Sequence, residues 1–183
     1  QRTMLRPVNW CTAGPLGPPA NRAFVCSVLE RLWDQGRGEV VVSLGDIPDG
    51  SKAYFGDGSD YGLKVTYGTE DRPLGTAGAV KNVEDHVRDG DFLVLNGDIL
   101  TDLDLGALIA FHEKKKAFVT IALTPVEDPT AYGLVRTNEG GEVLGFLEKP
   151  SWDQINTNLI NAGTYILSSD VFDMIPAGVE SSF

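Results

Sequence analysis

The stretch Phe92-Leu-Val-Leu-Asn-Gly-Asp98 is the most informative part of the chain for its fold. Its first four residues are apolar, which is typical of a strand buried on both faces of a sheet. Gly97 and Asp98 follow that strand, and in open α/β sheets ligands bind beyond the carboxyl ends of the strands. A carboxylate beside a glycine suits Mg²⁺ that bridges phosphate oxygens, but the same pair also fits a simple turn. On this stretch alone we favour the turn and keep the metal site as the alternative.

Segments of strand and helix character alternate on both sides of this stretch. Apolar runs predict strands over residues 39–44, 64–67 and 118–123, and apolar residues at helical spacing predict helices over residues 20–34 and 106–116. In the second of these helices we expect Leu108, Ile109 and Phe111 to point inward. Strands that alternate with helices indicate an α/β fold with a doubly wound, mostly parallel sheet.

The pattern changes in the last third of the chain. Residues 133–137 and 142–147 flank a Gly-rich turn, which predicts an antiparallel hairpin. Residues 161–167 predict a further strand. The sheet is therefore expected to gain antiparallel structure late in the chain.

Both ends of the chain lack elements that such a fold needs. Residues 1–7 show no opening strand, and residues 178–183 stop as though another element should follow. We therefore expect a single domain over residues 1–183 that is incomplete at both ends.

The charge balance excludes several classes of function. The 183 residues carry 15 Lys and Arg against 26 Asp and Glu, a formal net charge of −11. Sequence-independent binding to nucleic acid or to an anionic membrane needs a clustered basic face, so neither partner is expected.

The two cysteines are expected to be reduced, and we find no signal peptide and no apolar run of about 20 residues. We expect a cytoplasmic protein and leave its oligomeric state open, a homo-oligomer included.

Two further motifs carry groups that suit a phosphorylated ligand. Leu74-Gly-Thr-Ala-Gly78 opens a predicted helix that runs to about residue 88, and free N–H groups at its start could meet an anion or a base edge. Glu148-Lys149-Pro150 ends an apolar strand, where the lysine could meet a phosphate and the glutamate a pair of sugar hydroxyls. The alternative for the first motif is that its glycines serve packing alone. The alternative for the second is a surface ion pair before a proline.

Other polar residues fit structural roles at least as well as chemical ones. Asp102 and Asp104 form the Asp-x-Asp pattern with which many glycosyltransferases hold a metal and a nucleotide sugar. Asp104 also suits the N-cap of the following helix, and we favour that role. His86 and His112 lie on predicted helices without partners at metal-ligand spacing, so both are predicted to be surface residues.

Five motifs, taken in order, resemble one family of proteins. They are Leu74-Gly-Thr-Ala-Gly-Ala79, Leu95-Asn-Gly-Asp98, Ala131-Tyr-Gly133, Phe146-Leu-Glu-Lys-Pro150 and Asn161-Ala-Gly163. Each is weak alone, but in this order and spacing they resemble the sugar-phosphate nucleotidyltransferases, which have a Rossmann-like fold. Within that family the likeness is to the mannose-1-phosphate guanylyltransferase and glucose-1-phosphate nucleotidyltransferase group. The resemblance extends from Ala20 onward.

This resemblance implies an enzyme that transfers a nucleotidyl group from an NTP, with GTP favoured, to a hexose 1-phosphate. The products are an NDP-sugar and pyrophosphate. The sugar phosphate attacks the α-phosphorus in line, so the protein positions the substrates and neutralises their charge. The implied contacts are Mg²⁺ with Asp98, the nucleotide with Leu74, Gly75, Thr76 and Gly97, the sugar with Gly133, Glu148, Asn161 and Gly163, and the sugar phosphate with Lys149.

The chain departs from the family pattern near its amino terminus. Thr3-Met-Leu-Arg-Pro7 falls on the family's T-R-L-x-P motif, which puts Met4 where the family carries a catalytic arginine. Gly14 stands in place of a substrate-binding lysine, and Arg6 could partly substitute for the missing cations. A second metal-binding aspartate of the family would lie beyond Phe183.

These departures leave three hypotheses in order of preference. The first is an active nucleotidyltransferase. The second is a catalytically degenerate homologue that binds a sugar nucleotide, or a regulatory subunit. The third is a metal-dependent glycosyltransferase that uses Asp102 and Asp104.

Overall fold

The chain folds as two compact units. The computed structural model describes residues 4–10, 29–34, 36, 38–44, 56–97, 99, 101–148 and 150–183, with the backbone alone at 4–10 and 44. Unit 1 comprises Gln1–Thr120 and Tyr165–Phe183, and unit 2 comprises Ile121–Thr164. Within the described ranges no helix is long and apolar enough to cross a bilayer.

Unit 1 is built on a parallel sheet. Its strands include β1 (Met4–Trp10), β2 (Glu39–Leu44), β3 (Lys64–Thr69) and β4 (Phe92–Asn96). They lie in the order β3-β2-β1-β4, and each neighbouring pair is parallel. The strands predicted from the apolar runs and the α/β class are therefore confirmed.

The expectation that the first residues contain no strand is wrong, because β1 lies between β2 and β4. Its register with β4 shifts between Leu5 and Val8, the residues that flank Arg6 and Pro7. Proline has no N–H to donate to a neighbouring strand, so it is found at irregularities of this kind. Pro7 thus interrupts the strand pattern in the sequence, although β1 is an inner strand of the parallel sheet.

Three helical segments accompany these strands. Helix α1 is described over residues 29–34, and the earlier residues of the predicted 20–34 helix lie outside the described part of the chain. Helices α2 (Gly75–Asn82) and α3 (Leu105–Lys115) confirm the other two predictions. After α2, a 3-10 turn at Glu84–His86 replaces the continuation that we expected.

One cluster of buried side chains forms the core of unit 1. Its members are Leu29, Leu32, Val40, Val42, Leu63, Val65, Leu93, Leu95, Leu105 and Ile166. Leu108 and Ile109 of α3 pack against this cluster as predicted. Phe111 is 42% exposed, so the prediction that it points inward is wrong.

His112 is the second correction on α3, because it is buried and not at the surface. It is 2% exposed, and its Nδ1 lies 2.7 Å from Thr120 Oγ1 while its Nε2 lies 3.5 Å from Asp91 Oδ2. His112 follows Leu105 by seven residues, about two helical turns, so both lie on the buried face. Polar partners at both ring nitrogens allow an imidazole to be buried there. His86 is exposed, as predicted.

Unit 2 is antiparallel. It contains most of β5 (Val119–Pro125), all of β6 (Gly133–Thr137) and β7 (Val143–Glu148), and the first six residues of β8 (Leu159–Leu167). β6 and β7 form the predicted antiparallel hairpin, which is confirmed. β8 pairs with β6 in antiparallel orientation and also with β5.

Candidate functional site

A short turn precedes and opens α2 in unit 1. Leu74 is buried and lies just before the helix, and Gly75, the first helical residue, has a φ of +70°. Such a φ is unfavourable for residues with a side chain, so glycine is favoured there. Residues 74–78, called here the 74–78 turn, include three of the four predicted nucleotide contacts, namely Leu74, Gly75 and Thr76.

Glu70 links this turn to the parallel sheet. Its Oε2 accepts a hydrogen bond from the Leu74 N–H at 3.1 Å, and its Oε1 accepts one from Ser43 Oγ at 3.1 Å. Ser43 is fully buried in β2, so its hydroxyl fixes the carboxylate. The sequence reasoning missed Glu70, although a carboxylate directly after a parallel strand was a signal that could have identified it.

The segment of residues 178–183 bonds to the 74–78 turn through its backbone. The Ser181 carbonyl accepts hydrogen bonds from the Ala77 and Gly78 N–H groups, at 3.0 and 3.2 Å. The Ser181 N–H donates to the Leu74 carbonyl at 2.9 Å. Contrary to the expectation of free donors at this helix N-terminus, the Ala77 and Gly78 N–H groups are therefore already engaged.

The donors that the turn can still offer to a ligand are fewer than expected. Thr76 Oγ1 accepts a hydrogen bond from the Phe183 N–H at 3.0 Å. The N–H groups of Gly75 and Thr76 have no hydrogen-bond partner in the described part of the chain. Among the described residues, these two N–H groups and the O–H of Thr76 are thus the donors that the 74–78 turn can offer.

The carboxyl end of β4 brings Gly97 next to an unpaired oxygen. Gly97 is buried, and the Oδ1 atom of Asn96 is buried without a hydrogen-bond partner among the residues described. A buried oxygen without a partner costs free energy, which a hydrogen-bond donor or a cation would recover. The adjacent Asp98 lies outside the described residues.

The chemistry of this strand end suits Mg²⁺, which prefers oxygen ligands. Asn96 supplies an amide oxygen, and the sequence puts the Asp98 carboxylate two residues later. Across the described ranges, no three His, Cys, Asp or Glu side chains form a cluster that could hold a metal ion. The two side chains of this strand end that offer oxygen ligands are those of Asn96 and, by sequence, Asp98.

In unit 2, three of the predicted sugar contacts lie in one row across three strands. Gly133 of β6 pairs with Glu148 of β7. The pairing of Leu134 with Ile160 puts Gly133 beside Asn161 of β8. Residues opposite one another in a sheet present their side chains on the same face. A carboxylate and a carboxamide therefore flank a position that has no side chain.

The absence of a side chain at Gly133 gives room to the Glu148 carboxylate. A β-carbon at Gly133 would lie 2.7 Å from Glu148 Oε2, closer than such atoms approach. Asn161 Oδ1 accepts a hydrogen bond from the Gly163 N–H at 2.9 Å, and Gly163 has a φ of +64°. Gly163 thus orients Asn161, and the structure brings all four predicted sugar contacts together in unit 2.

A capped turn leads into this row. Asp128 Oδ1 accepts hydrogen bonds from the hydroxyl and the N–H of Thr130, at 2.6 and 3.0 Å. Both bonds, the hydroxyl first, hold the pKa of the Asp128 carboxyl below its ordinary value. The ionised carboxylate therefore stabilises the 3-10 turn Pro129–Ala131, which precedes Gly133 by two residues.

The structure does not test the predicted catalytic residues. Lys149, like Asp98, lies outside the described residues, as does Gly14. Arg6 belongs to β1, where the backbone alone is described. Met4, which the resemblance puts where the family carries an arginine, is the first residue of β1.

Asp104 performs the structural role that we favoured. Its Oδ1 accepts a hydrogen bond from the Ala107 N–H at 3.0 Å, so it is the N-cap of α3. Asp102 is exposed. A carboxylate engaged in capping is a weaker candidate for a metal ligand, which counts against the glycosyltransferase hypothesis.

Comparison with known families assigns the chain. The nucleotidyl transferase family model matches residues 2–182. The chain belongs to this family. This nucleotidyltransferase chain is 40% identical over 180 residues to a mannose-1-phosphate guanylyltransferase of Mycobacterium tuberculosis, which covers 98% of this chain and 50% of that protein. It is 32% identical over 191 residues to a UTP–glucose-1-phosphate uridylyltransferase of Synechocystis sp., which covers 97% of this chain and 49% of that protein.

The nucleotidyltransferase chain spans about half the length of the curated relatives it matches. Among solved structures, HddC from Yersinia pseudotuberculosis complexed with GMP-PN has a TM-score of 0.76 at 26% identity, covering 98% of this chain and 83% of that chain. A UDP-glucose pyrophosphorylase complexed with UDP-glucose has a TM-score of 0.71 at 16% identity, covering 94% and 79%. The second likeness shows the shared fold alone.

Proposed function

We propose that this nucleotidyltransferase transfers a nucleotidyl group from an NTP to a hexose 1-phosphate and releases pyrophosphate. GTP and mannose 1-phosphate are its favoured substrates. The observation that carries the proposal is the 40% identity to a mannose-1-phosphate guanylyltransferase along 98% of the chain. The similar HddC structure is complexed with GMP-PN, which further supports a guanosine nucleotide.

The row of Glu148, Gly133 and Asn161 supports binding of the hexose. An ionised carboxylate accepts hydrogen bonds from two neighbouring hydroxyl groups, and a carboxamide both donates and accepts. Gly133 provides the space in which the Glu148 carboxylate lies, and Gly163 orients the Asn161 amide. We assign the hexose ring to this row.

The 74–78 turn supports binding of the base and ribose of the nucleotide. The N–H groups of Gly75 and Thr76 suit the acceptor atoms of these uncharged groups, and Leu74 offers apolar contact. A triphosphate needs a larger set of free N–H groups, and those of Ala77 and Gly78 are engaged. The phosphates are therefore assigned to the carboxyl end of β4.

The proposed reaction forms a bond between a sugar phosphate oxygen and the α-phosphorus and breaks the bond to the leaving pyrophosphate. The protein aligns the two groups and neutralises their charge, and no covalent intermediate is needed. Lys149 would neutralise the sugar phosphate. Asp98 and Asn96 would hold Mg²⁺, which when bound neutralises charge on the nucleotide phosphates.

Binding without catalysis is a second candidate function. Met4 and Gly14 favour it, because the resemblance puts them where the family carries an arginine and a lysine. An arginine that stabilises charge in phosphoryl transfer raises the rate roughly 10³-fold or more. If the chain is a binding homologue, the variant Met4→Arg/Gly14→Lys should stay inert. A large gain in pyrophosphate release would instead indicate a damaged enzyme.

Two experiments test the primary proposal. Calorimetric titration with mannose 1-phosphate should show binding that Lys149→Ala weakens, while Lys114→Ala on the exposed end of α3 should bind like the parent chain. Pyrophosphate release should be faster with GTP than with UTP at equal concentration. A folded sample that binds no mannose 1-phosphate at millimolar concentration would contradict the proposal.

A further inference from the structure

The 178–183 segment and the 74–78 turn are complementary in shape. A β-carbon at Gly75 would collide with the Ser181 carbonyl oxygen, and one at Gly78 would lie 2.8 Å from the Val179 carbonyl oxygen. Any other residue at these two positions would therefore displace the segment. The glycines of the motif thus allow close approach of the chain's own backbone.

Contacts near both ends hold the segment in place. The Arg72 guanidinium donates a hydrogen bond to the Gly178 carbonyl. At the other end, the ring of Phe183 lies 5.1 Å from the ring of Tyr165, which is buried in β8. Between them, Ser181 makes three backbone hydrogen bonds to the turn. The segment is therefore anchored without a ligand.

We propose that the 178–183 segment is a positioning element for nucleotide binding, a role that rests on the proposed function. It satisfies the N–H groups of Ala77 and Gly78 and the carbonyl of Leu74, and so fixes the backbone of the turn. The remaining N–H donors, those of Gly75 and Thr76, are then presented to the nucleotide in a single arrangement. A preformed arrangement reduces the conformational entropy lost on binding, so it increases affinity.

The variants Ser181→Pro and Ser181→Ala form a matched pair that tests this role. Both lose the hydroxyl group, which lies 3.5 Å from the Val179 carbonyl, but proline alone removes the N–H that donates to Leu74. In calorimetric titrations of the full chain with GTP and Mg²⁺, Ser181→Pro should raise the Kd about tenfold, the effect of one net hydrogen bond. Ser181→Ala should stay within about twofold of the parent chain.

The Kd for mannose 1-phosphate separates positioning from general destabilisation. In Ser181→Pro it should remain within about twofold of the parent value, because the sugar row belongs to unit 2. The positioning role would be overturned if Ser181→Pro raised the Kd values for GTP and mannose 1-phosphate equally, or if its Kd for GTP matched that of the parent chain. If Ser181→Pro does not fold, Arg72→Ala removes an anchor of the segment without altering the turn, and the same outcomes apply to it.

Amide hydrogen exchange tests the segment independently of catalysis and binding. In the ligand-free parent chain, the amides of Ala77 and Gly78 should exchange more slowly than those of Gly75 and Thr76. Equal exchange at all four amides would overturn the positioning role. A parent chain that shows slow exchange at Ala77 and Gly78 but binds no NTP would overturn the proposed function, and the nucleotide role of the segment with it.

Discussion

The substitution Gly133→Ala isolates the sugar row from the stability of the fold. Gly133 does not have a positive φ, so alanine fits its backbone. The new β-carbon would meet Glu148 Oε2 at 2.7 Å, and the next atom within reach is Glu148 Cδ at 3.9 Å. Because Glu148 is exposed and flexible, its carboxylate can swing away at little cost to the fold. The variant should therefore displace one functional group and leave the rest of unit 2 unchanged.

Two measurements on Gly133→Ala have expected magnitudes, the free energy of unfolding and the affinity for mannose 1-phosphate. Replacing glycine with alanine at a compatible position stabilises a protein by about 0.4–1 kcal/mol, so urea denaturation should show an equal or slightly larger free energy of unfolding. Hydrogen bonds to a charged group contribute roughly 1.5–3 kcal/mol, so displacement of the Glu148 carboxylate should weaken mannose 1-phosphate binding about 10- to 150-fold. Calorimetric titration measures this change.

Two companion variants complete the experiment. Gly38→Ala is the matched control, because a β-carbon there meets nothing within 4 Å and its φ is not positive. Like Gly133→Ala, it should leave the free energy of unfolding equal or slightly raised. It should not change the affinity for mannose 1-phosphate. Glu148→Gln removes the charge but keeps the shape of the side chain, and it should weaken binding in the same direction as Gly133→Ala. Unchanged affinity in both Gly133→Ala and Glu148→Gln would refute the assignment of the hexose to this row.

Three further predictions concern α3 and the metal. Asp104→Ala should lower the free energy of unfolding, measured in urea, by about 1 kcal/mol, and Asp102→Ala should leave it unchanged. If Asp104→Ala instead abolished Mg²⁺-dependent nucleotide binding, the glycosyltransferase hypothesis would be restored. His112→Ala should lower the free energy of unfolding by about 3 kcal/mol, because it leaves a cavity and an unpaired Thr120 hydroxyl. If His112→Ala lowers the free energy of unfolding by the same amount in a Thr120→Val background, the two side chains are not coupled. EDTA should remove nucleotide binding, since a chain of net charge −11 repels free nucleotide; affinity retained in EDTA would count against Asp98 as a metal ligand.

The alternation of strands and helices could be predicted because it depends on local apolar patterns. β2, β4 and the β6–β7 hairpin all follow from runs of a few neighbouring residues. β1 could not be predicted in this way, because Pro7 breaks its local pattern while the neighbouring strands supply its partners. His112 was predicted to lie at the surface because it has no partners at metal-ligand spacing, but its position seven residues after Leu105 puts it on the buried face of α3.

The predicted sugar contacts could be named from the sequence because they belong to recognisable motifs. The sugar contacts come from motifs that are up to 30 residues apart in the sequence, and the register of three strands brings them into one row. The 178–183 segment escaped prediction because Ser181 acts through backbone atoms, which every residue possesses. Glu70 could have been identified from its position directly after β3, but its two partners, a backbone N–H and a serine hydroxyl, do not mark a ligand site in the sequence.

The contacts between the 178–183 segment and the 74–78 turn join residues that are 106 and 107 positions apart, Arg72 with Gly178 and Thr76 with Phe183. A contact of such sequence separation closes a long loop, so it forms after the local turns, hairpins and helices. During synthesis on the ribosome, the turn acquires its hydrogen-bonded covering only when the chain has been extended past Ser181. The part of the protein assigned to the nucleotide therefore reaches its final arrangement only after the turn and the segment have both been synthesised.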